Sequence, residues 1–499
     1  MRACRTLKSS QWCGVSALYF CYSALIQDGS LRMLFRTKLA IAFLCGWTAI
    51  ATAKPISDET LMMAKQLRDE AMTGSRAWNI VESLTTEVGP RLAGSEAEAR
   101  ARTWAVEKLA SYGFENVRVE TFAMDGWQRG TEVAEIVTPF PQKLAITSLG
   151  NSVATSGTGI EAEVVLFETL AALQAADMGS LEGKIAYVGH GMQRTQDGSS
   201  YGHFVRLRSA GAVEAARRGA VATLIRSIGT DSHRMPHTGN MSYADGVTPI
   251  PIAALSNPDA DQLERIAARG QVIRVKMTLT PNYTGVVESG NVIAEIPGTD
   301  LADEIVIIGG HLDSWDLGTG AVDDGAGVAI TMEVLRQIKS RGLRPRRTIR
   351  LVLWGAEEVG LLGGYAYAEA HKTELRKHVI GTESDFGAGR IWKITRDINE
   401  AAVPVADKIA ELVEPLGIAP GNADLRSSGP DLTPMNRLGF PGFRFVQDGS
   451  DYFDLHHTPD DTLDKIDPAA MDQNVAAYLV FVWLAANSDV SDWGWVPAE

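Results

Sequence analysis

Residues 305–313 read Ile-Val-Ile-Ile-Gly-Gly-His-Leu-Asp, an unbroken apolar run that stops at two glycines and a histidine. Apolar residues without polar alternation mark a strand covered on both faces, and such strands belong to sheets wrapped by helices. The design recurs twice downstream. The run 349–353 ends in Trp354-Gly355-Ala356-Glu357-Glu358, and Val379-Ile380-Gly381 ends in Thr382-Glu383-Ser384-Asp385. Between the first two runs, Gly320-Ala321-Val322-Asp323-Asp324-Gly325-Ala326-Gly327 leads into an apolar helical stretch (Val328, Ile330, Val334, Leu335). Alternating strands and helices predict an α/β domain on a central mixed, mainly parallel sheet flanked by helices. In an open sheet of this kind ligands sit in the crevice at the carboxyl ends of the strands, so the polar residues that close each run should converge.

Working outward toward the N-terminus, residues 57–83 place Leu61, Met62, Ala64, Leu67 and Ala71 at helical spacing, which predicts an amphipathic helix. Ser95 with Glu98 forms a capping box ahead of a second helix over 99–111, and Gly113 supplies its stop. Residues 115–122 alternate apolar and charged positions (Val117, Val119, Phe122), as a half-buried strand does. From about 126 to 283 the texture changes to short β-like runs (163–167, 184–188, 272–279) separated by Gly, Ser and Thr, with one helix-to-strand unit over 211–218 and 220–225. This predicts a β-rich module inserted at 126–283 into a main domain made of 54–125 and 284–499; the main-domain pattern resumes at Asn291-Val292-Ile293-Ala294-Glu295.

At 499 residues the chain is too long for one ordinary core, and its 45% hydrophobic and 22% charged content is that of globular proteins. A formal charge of −14 argues against nucleic acid as a partner, because a surface that binds its phosphates by counterion release needs a basic excess. Residues 1–53 read as a leader. Met33 is a second possible start, Arg36 and Lys38 form a basic region, 39–50 an apolar run, and Ala51-Thr52-Ala53 a small-residue cleavage signal. An exported protein, periplasmic or extracellular, is expected. The alternative is a membrane anchor, for which the apolar stretch falls short of the roughly 20 residues a spanning helix needs. Cleavage after Ala53 removes six basic residues and one acid, leaving −19, and takes Cys4, Cys13, Cys21 and Cys45 with it. A chain without cysteine must hold any metal through His, Asp and Glu, the ligand set of catalytic rather than structural zinc.

Near the C-terminus, Tyr452-Phe453-Asp454-Leu455-His456-His457-Thr458-Pro459-Asp460-Asp461-Thr462 brings paired histidines into a loop. His-x-Asp after a strand, Asp-Asp in a glycine loop, Glu-Glu after the next strand, a later Asp, and a His followed by Thr with an acid-Thr pair beyond are thus all present in order. In this the chain resembles the di-zinc exopeptidases of the aminopeptidase and glutamate carboxypeptidase superfamily, over most of residues 85–485 and including Gly89-Pro90-Arg91-Leu92-Ala93-Gly94-Ser95. The resemblance implies two Zn2+ per subunit, with His311 and Asp385 on one, Glu358 and His457 on the other, and Asp323 bridging. It implies that Asp313 accepts the second ring N–H of His311 and that Glu357 is the general base of peptide hydrolysis. His457 stands four residues before Asp461, the family spacing; His456 is left as an oxyanion donor or a structural neighbour. The inserted module is similar to a protease-associated domain. A carboxypeptidase or dipeptidase acting on dipeptides or short peptides is the implied activity, in a homodimer, with an aminopeptidase as one alternative and a receptor-like, non-catalytic binding protein as another.

Several residues carry competing readings. Asp324 reads as a helix N-cap. His233 and His237 have the spacing of a helical metal pair, but Pro236 intervenes and predicts a loop; that loop, with Asn240, would place His237 over the cleft against a substrate terminus. Asp431, in Gly429-Pro430-Asp431, either caps a turn or meets a substrate terminus. Tyr478, Leu479, Phe481, Val482 and Trp483 on the last helix serve either the core or a dimer interface, with the core favoured.

Overall fold

The computed structural model describes residues 55–421 and 427–496, and these belong to one compact unit. The expected leader, 1–53, lies outside the described residues. Among the described residues there are three sheets, the smallest a two-stranded ladder of 391–397 with 442–447, and the two larger ones organise the chain. The first has five strands in the order 115–128, 282–296, 347–354, 301–311 and 378–383. Leu301–His311 runs parallel to both of its neighbours, while the two outer ladders on the other side are antiparallel. The sheet is therefore mixed in equal parts and not mainly parallel: the apolar runs reveal burial, but the direction of 282–296 is set by its return from the second sheet.

Ile305, Val306, Ile307 and Ile308 are all buried, as the run predicts. Val306 and Ile308 face the larger core with the helices Ala326–Ser340 and Pro468–Asn487, whereas Ile305 and Ile307 face a smaller cluster with Trp354, Tyr367 and Phe440. Pro468–Asn487 is apolar enough to cross a membrane by composition, yet 89% of its apolar window is buried inside the protein. Tyr478, Leu479, Phe481, Val482 and Trp483 are core residues, as favoured.

The predicted N-terminal helix is two, Asp58–Gly74 and Ala77–Glu87, parted at Ser75, which takes extended backbone. Ser95 does cap the helix Glu96–Ser111 by accepting from the Glu98 amide at 3.2 Å, and Gly113 ends it at φ +78°. The half of the capping box read for the Glu98 side chain is not made. That carboxyl turns inward, pairs with Arg102 at 3.0 Å, and is pushed up to about 7 by burial despite the arginine.

Residues 132–279 build the second sheet, of eight strands. It is less purely β than its sequence texture implies. Four strands, 160–167, 185–188, 222–226 and 252–255, form three successive parallel ladders, and helices Leu207–Arg217 and Asn257–Ala267 pack on them. Loops of this sheet reach the carboxyl-end edge of the first one.

Candidate metal centre

Three strands of the first sheet deliver their last residues to one place. His311 ends Leu301–His311, Glu383 ends His378–Glu383 with Asp385 just beyond, and Glu357 and Glu358 follow Arg347–Trp354. Gly310 and Gly327 explain how the acid-bearing loop gets so close. A Cβ on Gly310 would lie 2.5 Å from Asp324 Oδ2, and one on Gly327 would collide with the Ser384 carbonyl. Asp324 is the helix cap read from the sequence, Oδ1 accepting from Gly327 N at 3.1 Å, and its other oxygen takes the His311 amide at 3.0 Å. Asp323 is left free to point into the site, and the Asp323-Asp324 peptide is cis.

Asp323 stands between two groups of donors. Its Oδ1 lies 3.0 Å from His311 Nε2, which is 3.7 Å from Asp385 Oδ1. Its Oδ2 lies 3.4 Å from His457 Nε2, which is 2.9 Å from Glu358 Oε2. His456 stacks on His457 at 3.5 Å between ring centroids and, of the carboxylates among the described residues, is paired with Asp323 alone, at 3.7 Å. Of the two histidines, His457 is the one facing both carboxylates. Three non-glycine residues beside these groups, Ala356, Leu361 and His457, have φ of +56°, +59° and +63°; such left-handed backbone persists only where the surroundings enforce it.

The tautomer of His311 is set differently from the expectation. Its Nδ1–H donates to the main-chain carbonyl of Asp313 at 3.0 Å, while the Asp313 carboxylate is 3.7 Å away. That carboxylate accepts instead from the amides of Glu357 and Glu358, at 3.0 and 3.3 Å, so Asp313 fixes the turn that carries both glutamates. His237 also departs from its expected place. It sits in the predicted loop but is 1% exposed, with Nδ1 bonded to the His456 carbonyl and Nε2 to Asp231, both at 2.7 Å, and has no nitrogen left for a substrate. Asn240 is joined to Asn151 at 2.8 Å. The Asp431 side chain caps no turn: its amide donates to Glu383 Oε2 at 2.9 Å, and both carboxylate oxygens are buried without a partner among the described residues.

Two residues that the sequence motifs contain without a role, Arg91 and Asp461, position the loop. Arg91, fully buried, donates to the carbonyls of Leu312, Thr319 and Gly320 and gathers the loop before Asp323. Asp461 accepts from the amides of Val322 and Asp323 at 2.6 and 3.2 Å. Each has a sequence signal: a lone arginine in a Gly-Pro run, and an acid repeated before Thr462.

The electrostatics are those of a cation site. Burial, reinforced by neighbouring acids, pushes the carboxyls of Asp324, Glu357, Glu358 and Asp431 well above the usual range, Glu383 up to about 8 and Asp461 to about 7. Burial lowers His456 and His457 well below their ordinary value, which leaves them neutral and able to ligate. For His311 burial acts the same way but is outweighed by Asp385, Asp313 and Asp323, so it is raised. Asp323 Oδ2, Glu358 Oε1 and Glu383 Oε1 have no hydrogen-bond partner among the described residues. Imidazole nitrogens, carboxylates and orphaned oxygens turned inward fit zinc held by N and O ligands.

A stability prediction follows from the signs. Carboxyls raised in the folded state stabilise it fully below the unfolded pKa, and that contribution is lost as pH rises through the folded values, here reaching about 7 and about 8. Protein stripped of metal by a chelator should therefore melt higher at about pH 5.5 than at about pH 8, and added zinc should remove most of the difference. Equal melting temperatures for the stripped protein at both pH values would contradict the burial of these acids.

Residues 291–482 match the family described as peptidase family M28. The chain is 35% identical to human carboxypeptidase Q over 430 residues, covering 86% of this chain and 89% of the relative. It is similar to the crystal structure of a peptidase M28 precursor from Shewanella amazonensis, with a TM-score of 0.86 and 50% identity over 89% of this chain and 100% of that one. A zinc aminopeptidase from Bacillus subtilis shares the fold, with a TM-score of 0.61 and 20% identity over 83% of this chain and 95% of that one.

Proposed function

Because the chain belongs to peptidase family M28 and is a metallo-exopeptidase, we propose that it is a carboxypeptidase Q-like dipeptidase that binds two zinc ions and cleaves dipeptides or short peptides. Retention of His311, Asp323, Glu358, Asp385 and His457 in one place speaks against the receptor-like alternative. The observation that carries the two-ion reading is the division of Asp323, one oxygen toward His311 and Asp385 and the other toward His457 and Glu358. We assign His311 and Asp385 to one ion, Glu358 and His457 to the other, and Asp323 to both.

Bound zinc would polarise the scissile carbonyl and ease the ionisation of water. The protein supplies the rest. Glu357, half-buried beside the ligands, has its main chain fixed by Asp313 and its carboxyl raised by burial. A carboxylate so tuned takes a proton from the attacking water and returns it to the departing amine. His456, neutral and with Nδ1 unpartnered among the described residues, is assigned to the developing oxyanion or to an adjacent substrate atom.

Substrate polarity is read from the carboxypeptidase Q likeness. Free dipeptides should be hydrolysed, N-blocked ones retained as substrates, and C-amidated ones lost. A second reading rests on Asp431, whose unpartnered buried carboxylate suits a substrate ammonium group. Under that aminopeptidase reading N-blocking abolishes cleavage instead, and Asp431→Asn raises KM for free-amine substrates. A set of free, N-blocked and C-amidated Ser-Met dipeptides decides between the two.

The module over 126–283 is assigned as a protease-associated-type insertion, dividing the main domain into 54–125 and 284–499. The enzyme is proposed to be exported after cleavage at Ala53 and to work as a homodimer. N-terminal sequencing and solution mass test these assignments.

A further inference from the structure

The segment that carries the paired histidines is held largely by loops of the second sheet. Thr230 N donates to the Phe453 carbonyl at 2.9 Å and its hydroxyl to Asp454 at 2.7 Å, while Arg194 bonds both Asp454 oxygens at 2.7 Å. Thr238 N donates to the His457 carbonyl at 3.0 Å, and His457 Nδ1 lies 3.3 Å from the Thr238 carbonyl. At the centre of this seam is His237. Its ring meets the His456 carbonyl through Nδ1 and the Asp231 carboxylate through Nε2, both at 2.7 Å, so both nitrogens are engaged. Asp231 Oδ1 is tied in turn to Asn257 at 3.2 Å, on a helix of the second sheet. Gly229 leaves the imidazole room that a Cβ would fill.

We propose that His237 is a positioning residue for metal binding: a rigid strut from the second sheet that sets the main chain of His456-His457 and thereby aims His457 Nε2 at Glu358 and Asp323. This rests on the two-zinc assignment above. The strained φ of +63° at His457 needs an external restraint, and the strut acts on the carbonyl directly before it. An imidazole suits the task because its two nitrogens meet two partners from opposite sides of one rigid ring, the His456 carbonyl and the Asp231 carboxylate. Residues that orient metal ligands without touching the metal commonly change its affinity by about 10–100-fold.

The test measures zinc per full-length chain, and zinc affinity, in graded free-zinc buffers. Wild type should hold two ions. His237→Ala should keep one at unchanged affinity and bind the other about 10–100-fold more weakly, with turnover recovered at excess zinc. Ile136→Ala, in the core of the second sheet on a strand that carries none of the seam residues, should lower the melting temperature and leave both affinities alone, which separates positioning from general stability. His237→Gln, which keeps one bond, should lie between wild type and alanine, and it serves where the alanine variant fails to fold. Unchanged affinity of the weaker ion in the folded variant overturns the role of His237, as does an equal loss in Ile136→Ala. A wild-type protein binding fewer than two ions overturns the two-zinc assignment instead.

Discussion

Glu357→Gln should reduce turnover by about 10²–10⁴-fold while zinc content stays at the wild-type level. The substitution keeps the shape of the side chain and removes only its capacity to take up a proton. Nothing that holds the turn depends on that carboxylate, because Asp313 bonds the main-chain amides of Glu357 and Glu358. Glu358, one residue on, faces His457 Nε2 at 2.9 Å and is the member of the pair proposed above as a metal ligand. The expected signature is thus a loss in kcat with little change in KM, and two ions per chain by metal analysis. A variant that loses zinc together with activity would assign Glu357 to the metal and leave the proton-transfer role to another group. The reverse experiment sharpens the contrast: Glu358→Gln should lose metal first and activity as a consequence.

The sequence exposes the centre because its physics is local. An apolar run buried on both faces has to end where the sheet ends, and the residue that ends it, His311 or Glu383, is delivered to the sheet edge whatever the rest of the chain does. Asp323 and Asp324 are separable for a similar reason, since one of two adjacent acids at a helix start is required as the cap. The residues that were misplaced or missed act over long separations. His237 meets His456 across 219 positions and Arg91 meets Leu312 across 221, and no periodicity encodes such a pairing. The family resemblance implies that the Asp313 carboxylate serves His311, yet it lies 3.7 Å from that ring and accepts from amides 44 and 45 residues away. The parallel ladders of the second sheet were hidden by short strands whose texture resembles antiparallel hairpins. Local pattern singles out the candidate ligands; the contacts that orient their side chains depend on tertiary structure.

Asp323→Asn is the change that should cost the metal centre most for the fewest atoms moved. The amide matches the carboxylate in size, and the Asp323 main chain remains anchored by the Asp461 carboxylate on its N–H, so the fold should survive. One of the two oxygens, however, becomes an NH2 group that cannot ligate, and the remaining oxygen carries no formal charge. Whichever way the amide turns, either the His311 and Asp385 side or the His457 and Glu358 side loses its shared ligand. At most one ion should remain by metal analysis, and kcat/KM should fall by about a thousandfold or more, equivalent to ~4 kcal/mol of transition-state stabilisation. The neighbouring acid supplies the control. Asp324 takes the His311 and Gly327 amides and faces neither group of donors, so Asp324→Asn should act mainly on stability, lowering the melting temperature with zinc content closer to wild type. Two adjacent aspartates, joined by one peptide bond, would thus divide metal binding and architecture between them. Retention of both ions by folded Asp323→Asn would remove the bridging role and, with it, the two-ion centre proposed here.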